Sequence, residues 1–155
     1  MSGGRKFHSV KERIRDVFLY NIKTFHDSQG GKKYGLNAVF VLEFDGLRVL
    51  HCGDLGHTLN EDQIREIGRV DVLLIPVGGK YTLDERGADK VVEQLNPRKV
   101  IIPMHYRTDR AKFLPSSVED FIRGKASVIR LRSSRFNLET GETAGKPRIV
   151  VLEYQ

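Results

Sequence analysis

Short apolar runs separated by polar, glycine-rich breaks divide the chain, and their lengths and spacing predict its elements in turn. VFLYNIKTF, Val17–Phe25, is rich in β-branched and aromatic residues and reads as a strand ending at His26. DSQGGKKYGLN (residues 27–37) reads as a loop from its Gly, Ser and Asn content. NAVFVLEF (37–44) and LRVLHC (47–52) then flank Asp45-Gly46, a pair that supplies the positive φ angles of a type I′ turn, so a hairpin is expected. Beyond it the pattern changes to βαβ. Asn60 and Gln63 are spaced as a capping pair for a short helix, NEDQIREIG. VDVLLIPV (70–77) is continuously apolar, as a strand covered on both faces should be. Thr82 and Glu85 form a T-x-x-E capping box, and the helix after them places Ala88, Val91, Val92 and Leu95 on one side before Pro97 ends it. KVIIPM (99–104) is a second buried strand, ending at His105, and a right-handed crossover sets it parallel to 70–77. Ser116 and Glu119 cap a further short helix, SVEDFIRG. SVIRLR (127–132) and RIVVLE (148–153) are closing strands joined by a polar loop around residues 141–147. Residues 1–16 show no clear periodicity and read as an irregular or partly helical lead-in. With no internal repeat, low-complexity tract or linker, residues 1–155 are read as one α/β unit.

Composition narrows the function classes. At 155 residues the chain can bury a real core, and 39% hydrophobic with 30% charged residues is an ordinary globular balance. It contains no run of about 18 apolar residues that would span a membrane. MSGGRKFHSVKERIRD has no apolar segment behind its charges and does not read as a secretory signal. The single cysteine, Cys52, leaves no internal disulfide and fits a reducing, cytoplasmic location; within LRVLHC it reads as a small core residue. The formal charge of +6 comes mostly from residues 5–15 and 123–135. These runs are either solvated faces or sites of attraction to phosphate groups. Aromatic residues are not interleaved with them in a stacking pattern, which argues against nucleic acid.

Three candidate metal ligands occupy equivalent architectural places. His26, Asp54 and His105 each follow a predicted strand, and in open α/β sheets ligand sites collect at the carboxyl ends of strands because the loops there converge. Imidazole and carboxylate together suit zinc, iron or manganese. Singly, each is as readily a hydrogen-bonded structural residue.

T-F-H-D, then G-L-N-x-V-F-x-L-E-x-D-G-L-R-V-L-H-C-G-D-L-G-H, D-V-L-L-I-P-V-G-G-x-Y-T and I-I-P-M-H-Y-R-T follow one another along the chain. This succession resembles the metallo-β-lactamase superfamily, in particular its branch of small bacterial metal-dependent hydrolases related to ascorbate-6-phosphate lactonase. The resemblance runs from about Val17 to Thr108. It implies the carboxy-terminal half of an αββα sandwich, a mixed sheet with helices on its outer face. It also implies a divalent metal, zinc being the expected ion, with two sites in the complete fold and a metal-bound hydroxide as nucleophile. His26 would bind one metal, His105 the other, and Asp54 would bridge them as the catalytic carboxylate. The bridge has a physical reason: an anionic oxygen between two cations offsets their repulsion and fixes their spacing. The substrate would be a small molecule carrying an ester, lactone, amide or phosphodiester.

The family's other ligands come from an H-x-H-x-D-H motif, and this chain has none. Its five histidines are His8, His26, His51, His57 and His105, no two of them spaced as H-x-H. With three ligands, each metal would keep roughly two protein donors where catalytic zinc takes about three. Alone, the polypeptide is expected to bind metal poorly and not to hydrolyse by the family mechanism. Around the ligands, His51 points away from the strand face of Leu50 and is read as structural or as lining the site, and His57 as lining the pocket. Gly78 and Gly79, with Thr82, are explained by a tight turn and a helix cap. Tyr81 and Tyr106 either contact substrate or sit buried at the rim. Three readings stay open: part of a hydrolase, a non-catalytic binding or assembly module, or a basic nucleic-acid-binding domain. The inner sheet face of a half-sandwich would be apolar, so a second copy or an amino-terminal-half partner chain is expected to cover it.

Overall fold

The chain, in a computed structural model describing residues 6–138 and 145–154, folds around one sheet of eight strands. In chain order the elements are β1 (Lys11–Ile14), β2 (Val17–Phe25), β3 (Leu36–Phe44), β4 (Leu47–His51), α1 (Glu61–Ile67), β5 (Val72–Pro76), α2 (Glu85–Leu95), β6 (Val100–Met104), α3 (Val118–Ile122), β7 (Val128–Arg130) and β8 (Arg148–Val151). The strand order is β1-β2-β3-β4-β5-β6-β8-β7. The first four strands form an antiparallel meander, and from β4 onwards every pairing is parallel. The Asp45-Gly46 turn forms as expected, with φ of 49° and 72°, and pairs Phe44 with Leu47. Residues 139–144, which include part of the polar loop expected around 141–147, lie outside the described residues.

Alternation along the strands separates two faces. On one, Val39, Val41, Leu50, Leu73, Ile75, Ile101 and Ile149 are buried under Ile67 of α1, Val91 of α2 and Phe121 of α3. Each such large side chain contributes roughly 1.5–3 kcal/mol by leaving water. On the other face no helix of the described residues packs. There Leu131, Phe136 and Leu138 lie against Val72, Val100 and Val150, while Leu19, Leu36, Phe40 and Leu42 stay half-buried around a broad depression of about 790 Å³. Helices on one side of a mixed sheet match the expected architecture. No helix of the described residues is long and apolar enough to cross a membrane.

Three local expectations need correction. The lead-in is not irregular throughout: Lys11–Ile14 is a strand paired antiparallel with β2. Its four residues are all exposed, so no hydrophobic alternation marks it. Asn21 fastens the segment by accepting from the Val10 amide at 2.8 Å and donating to the His8 carbonyl at 3.0 Å. Secondly, α2 is capped by Asp84, whose carboxylate accepts from the Gly87 amide at 2.7 Å, and not by Thr82. Thirdly, α3 begins one residue later than expected. Its Ser117 amide donates to Asp120 at 2.8 Å, while the Ser116 hydroxyl bonds Glu85 at 3.1 Å and ties α3 to the start of α2.

Candidate metal centre

Two antiparallel steps, β2 to β3 and β3 to β4, followed by parallel β5 and β6, make β2, β4, β5 and β6 run in one direction. Their carboxyl ends therefore meet at one edge of the sheet, and that edge gathers all three candidate ligands. The Asp54 carboxylate lies between the two imidazoles: Oδ2 is 3.7 Å from His26 Nε2, and Oδ1 is 3.9 Å from His105 Nε2. These separations are too long for hydrogen bonds. They come within about half an ångström of the ligand-to-ligand edge, about 3.4 Å, of a tetrahedral zinc site with bonds of about 2.0–2.1 Å. Each imidazole faces a different oxygen, an arrangement in which one carboxylate can serve two neighbouring ions. Among the described residues no three or more His, Cys, Asp or Glu form a ligand group for an ion.

Further geometry favours a cation here. His26 Nε2 is buried and has no hydrogen-bond partner; leaving such an atom unsatisfied costs about 1–3 kcal/mol. The Thr82 hydroxyl lies 3.5 Å from His105 Nδ1 and 3.4 Å from the Leu83 carbonyl. Thr82 can thus accept a hydrogen bond from Nδ1–H while its own hydroxyl donates to the Leu83 carbonyl, which leaves the Nε2 lone pair facing Asp54. His105 itself has a φ of 51°, a left-handed conformation that costs a non-glycine residue energy and recurs at functional sites.

Close backbone contacts hold the three loops together. A Cβ at Gly56 would lie 2.5 Å from the carbonyl carbon of His26 and from the Asp27 amide, so only glycine lets the Asp54 loop rest on the His26 loop. A Cβ at Gly78 would lie 2.1 Å from the His105 carbonyl oxygen, so Gly78 packs directly behind that ligand. Asn37 is a third clamp. Its Oδ1 accepts from the Asp54 amide at 3.0 Å, and its Nδ2 donates to Thr24 Oγ1 at 2.8 Å and to the Cys52 carbonyl at 2.9 Å. Asp27 organises the loop after His26 by accepting from the amides of Gln29, Gly31, Lys33 and Tyr34 at 2.8–3.0 Å. The Tyr34 amide is the strongest of these influences, and together they pull the Asp27 pKa down to about 2.

The other singled-out residues divide. His51 lines the open depression with Asp54 and His105, its Nδ1 accepting from the Gly53 amide at 3.0 Å. His57 does not line that depression. Its Nε2 accepts from the Phe25 amide at 3.1 Å and its Nδ1 faces the Thr58 carbonyl at 2.6 Å, so both ring nitrogens are spent on the main chain. Tyr81 stands edge-on to Tyr34, which in turn packs against His26, with ring centroids 5.3 and 5.6 Å apart. Gly79 takes a φ of 71° in the turn before Tyr81. Tyr106 packs on the core and lines a separate groove with Arg107, Arg130 and Tyr154. Cys52 is fully buried, and burial pushes its thiol up to about 12, so it is not a nucleophile or a thiolate ligand. Sequence reasoning missed Asn37, Asp27, Gly56 and the role of Thr82. A polar residue opening an apolar strand was the signal available for Asn37.

A mixed sheet with helices on one face and His, Asp and His at its strand ends is the architecture of the metallo-β-lactamase fold. A crystal structure of a protein from Thermotoga maritima, proposed to be a Zn-dependent hydrolase of the metallo-β-lactamase superfamily, superposes with a TM-score of 0.78 at 40% identity, covering 97% of this chain and 71% of that one. The sequence profile of the β-lactamase superfamily domain matches residues 6–105, and the chain belongs to that family. A UPF0173 metal-dependent hydrolase of Thermococcus onnurineus is 35% identical over 122 residues, covering 77% of this chain and 54% of that protein. Another, from Archaeoglobus fulgidus, is 47% identical over 74 residues, covering 48% and 32% respectively. The chain thus spans about half the length, or less, of these curated relatives.

Proposed function

We propose that this chain supplies part of a two-metal hydrolase site, with zinc as the ion and an ester, lactone, amide or phosphodiester as the bond cleaved. The observation that carries the reading is the Asp54 carboxylate placed between His26 Nε2 and His105 Nε2, one oxygen towards each. His26 Nε2 and Asp54 Oδ2 would hold one ion, His105 Nε2 and Asp54 Oδ1 the other. Divalent ions bound there supply Lewis acidity towards a carbonyl or phosphoryl oxygen and a water that ionises near neutral pH. The chain's own residues do the positioning. Thr82 lies where its hydroxyl can fix the His105 tautomer, and Asn37 and Gly56 hold the Asp54 loop against the His26 loop. One imidazole and one carboxylate oxygen per ion is fewer than the about three protein ligands of a catalytic zinc, so this chain by itself is expected to hold zinc weakly and to turn over slowly or not at all.

Zinc titration of the metal-free chain tests the reading. Asp54→Asn should weaken binding at least about tenfold, because it removes the shared anionic oxygen pair. His57→Ala should leave affinity within about twofold, since its ring nitrogens already serve the main chain. Equal losses in the two variants would refute the assignment. So would two zinc ions per chain that resist mild chelation, because three ligands should not hold them.

A further inference from the structure

The chemistry around His26 extends beyond metal ligands. Tyr34 packs on the His26 ring and Tyr81 on Tyr34, so two phenols stand beside one end of the candidate site. Lys33 Nζ lies 4.9 Å from the centre of the Tyr34 ring, and Lys80 Nζ 4.9 Å from that of Tyr81. Some basic groups elsewhere meet carboxylates, Arg48 with Glu43, Arg69 with Asp71, Lys125 with Asp89 and Arg130 with Glu119, while Lys23 lies over the Phe25 ring. Neither Lys33 nor Lys80 has a carboxylate within ion-pair distance among the described residues; Lys33 is hydrogen-bonded to the Tyr34 side chain, and Lys80 lies over the Tyr81 and Phe113 rings with a long contact, 3.5 Å, to the Phe113 carbonyl.

Their placement is built. The Lys33 and Tyr34 amides both donate to Asp27 Oδ2, at 3.0 and 2.8 Å, and Asp27 directly follows His26. Lys80 sits at a φ of 63° in a turn closed by the Gly79 amide on the Leu83 carbonyl and the Tyr81 amide on the Gly79 carbonyl, at 3.0 and 2.8 Å. Two loops distant in sequence thus bring two phenol rings into contact, each with an ammonium group 4.9 Å from its centre and no carboxylate paired to it. We propose that Lys33, Tyr34, Lys80 and Tyr81 form a receptor for an anionic oxygen group of the substrate, a phosphoryl or a carboxylate, beside the bond to be cleaved. Two ammonium groups supply the charge, and the phenols supply donors whose position the ring contacts fix. The inference rests on the hydrolase reading for what happens to the ligand, but binding of the anion does not require a metal.

The test uses the metal-free chain, titrated separately with inorganic phosphate and with acetate at constant ionic strength, while NMR follows the Tyr34 and Tyr81 ring signals. Saturable shifts with at least one anion are expected. Tighter phosphate binding assigns a phosphoryl-bearing substrate and tighter acetate binding a carboxylate. Lys33→Gln with Lys80→Gln should raise the apparent Kd at least about fivefold. The double Lys→Arg variant, which keeps both charges and guards against a folding artefact, should stay within about twofold, as should Lys90→Gln. Non-saturating shifts with both anions, or saturation unchanged in the double Gln variant, overturn the receptor. Asp54→Asn should weaken zinc binding at least about tenfold while leaving anion binding intact, which separates failure of this inference from failure of the hydrolase reading.

Discussion

Asn37→Ala is the most informative single perturbation of the site, because it replaces no proposed ligand yet removes what holds Asp54 in place. The substitution deletes three hydrogen bonds, to the Asp54 amide, the Cys52 carbonyl and Thr24 Oγ1. At about 1 kcal/mol each the direct loss is about 3 kcal/mol. Asn37 is only half-buried, so water can reach part of the gap, and a loss of about 2–3 kcal/mol is expected. For a domain of this size that corresponds to a fall in Tm of about 4–12 °C. Zinc affinity should fall as well, because the freed Asp54 loop must be ordered before its carboxylate can bridge. Asn37→Asp provides the control: its oxygen can still accept from Asp54, but the Cys52 carbonyl now faces an acceptor, so stability should fall while more zinc affinity survives. Urea denaturation and zinc titration of the three proteins read both quantities. A loss below about 0.5 kcal/mol for Asn37→Ala, with unchanged zinc binding, would refute the clamp.

Two more expectations concern pH and association. Asp27 has a folded pKa of about 2, below its unfolded value of about 3.9. It therefore contributes stability that is present above about pH 4 and lost as pH falls towards 2. Urea midpoints measured across that window should fall less steeply in Asp27→Asn than in the parent, and parallel curves would contradict the assignment. The half-buried apolar side chains of Leu19, Leu36, Phe40 and Leu42 on the helix-free face predict self-association when no other partner is supplied. Sedimentation velocity at micromolar concentration should show a dimer that Leu42→Asp dissociates, whereas a well-behaved monomer of the parent would show that the face needs no cover.

Local pattern alone was sufficient for much of the fold. The Asp-Gly turn, the continuous apolar run before Gly78, the Asn60–Gln63 cap and the strand ends at His26 and His105 depend on residues near one another in sequence, so composition and period reveal them. The same reading placed His51 opposite Leu50 and Cys52 in the core. Strand β1 escaped because an exposed edge strand carries no buried face and therefore no alternation. Thr82 was read as a cap because T-x-x-E spacing is identical whether the hydroxyl bonds a helix amide or, as here, faces a histidine that follows a different strand.

Tertiary structure decided what the candidate ligands could do together. Three strand-end residues become one site only if β2, β4 and β6 run the same way, and that depends on strand order, which no local pattern carries. The separation of each imidazole from a different oxygen of Asp54, the orphaned His26 Nε2, and the Gly56 and Gly78 contacts are all relations between distant segments. Asn37 reaches partners 13 to 17 residues away, and Tyr34 meets Tyr81 across three strands and a helix. Residue type and period determined which elements form and which side chains could bind a metal; long-range packing determined that the loops converge, and with them Tyr34 and Tyr81 beside His26.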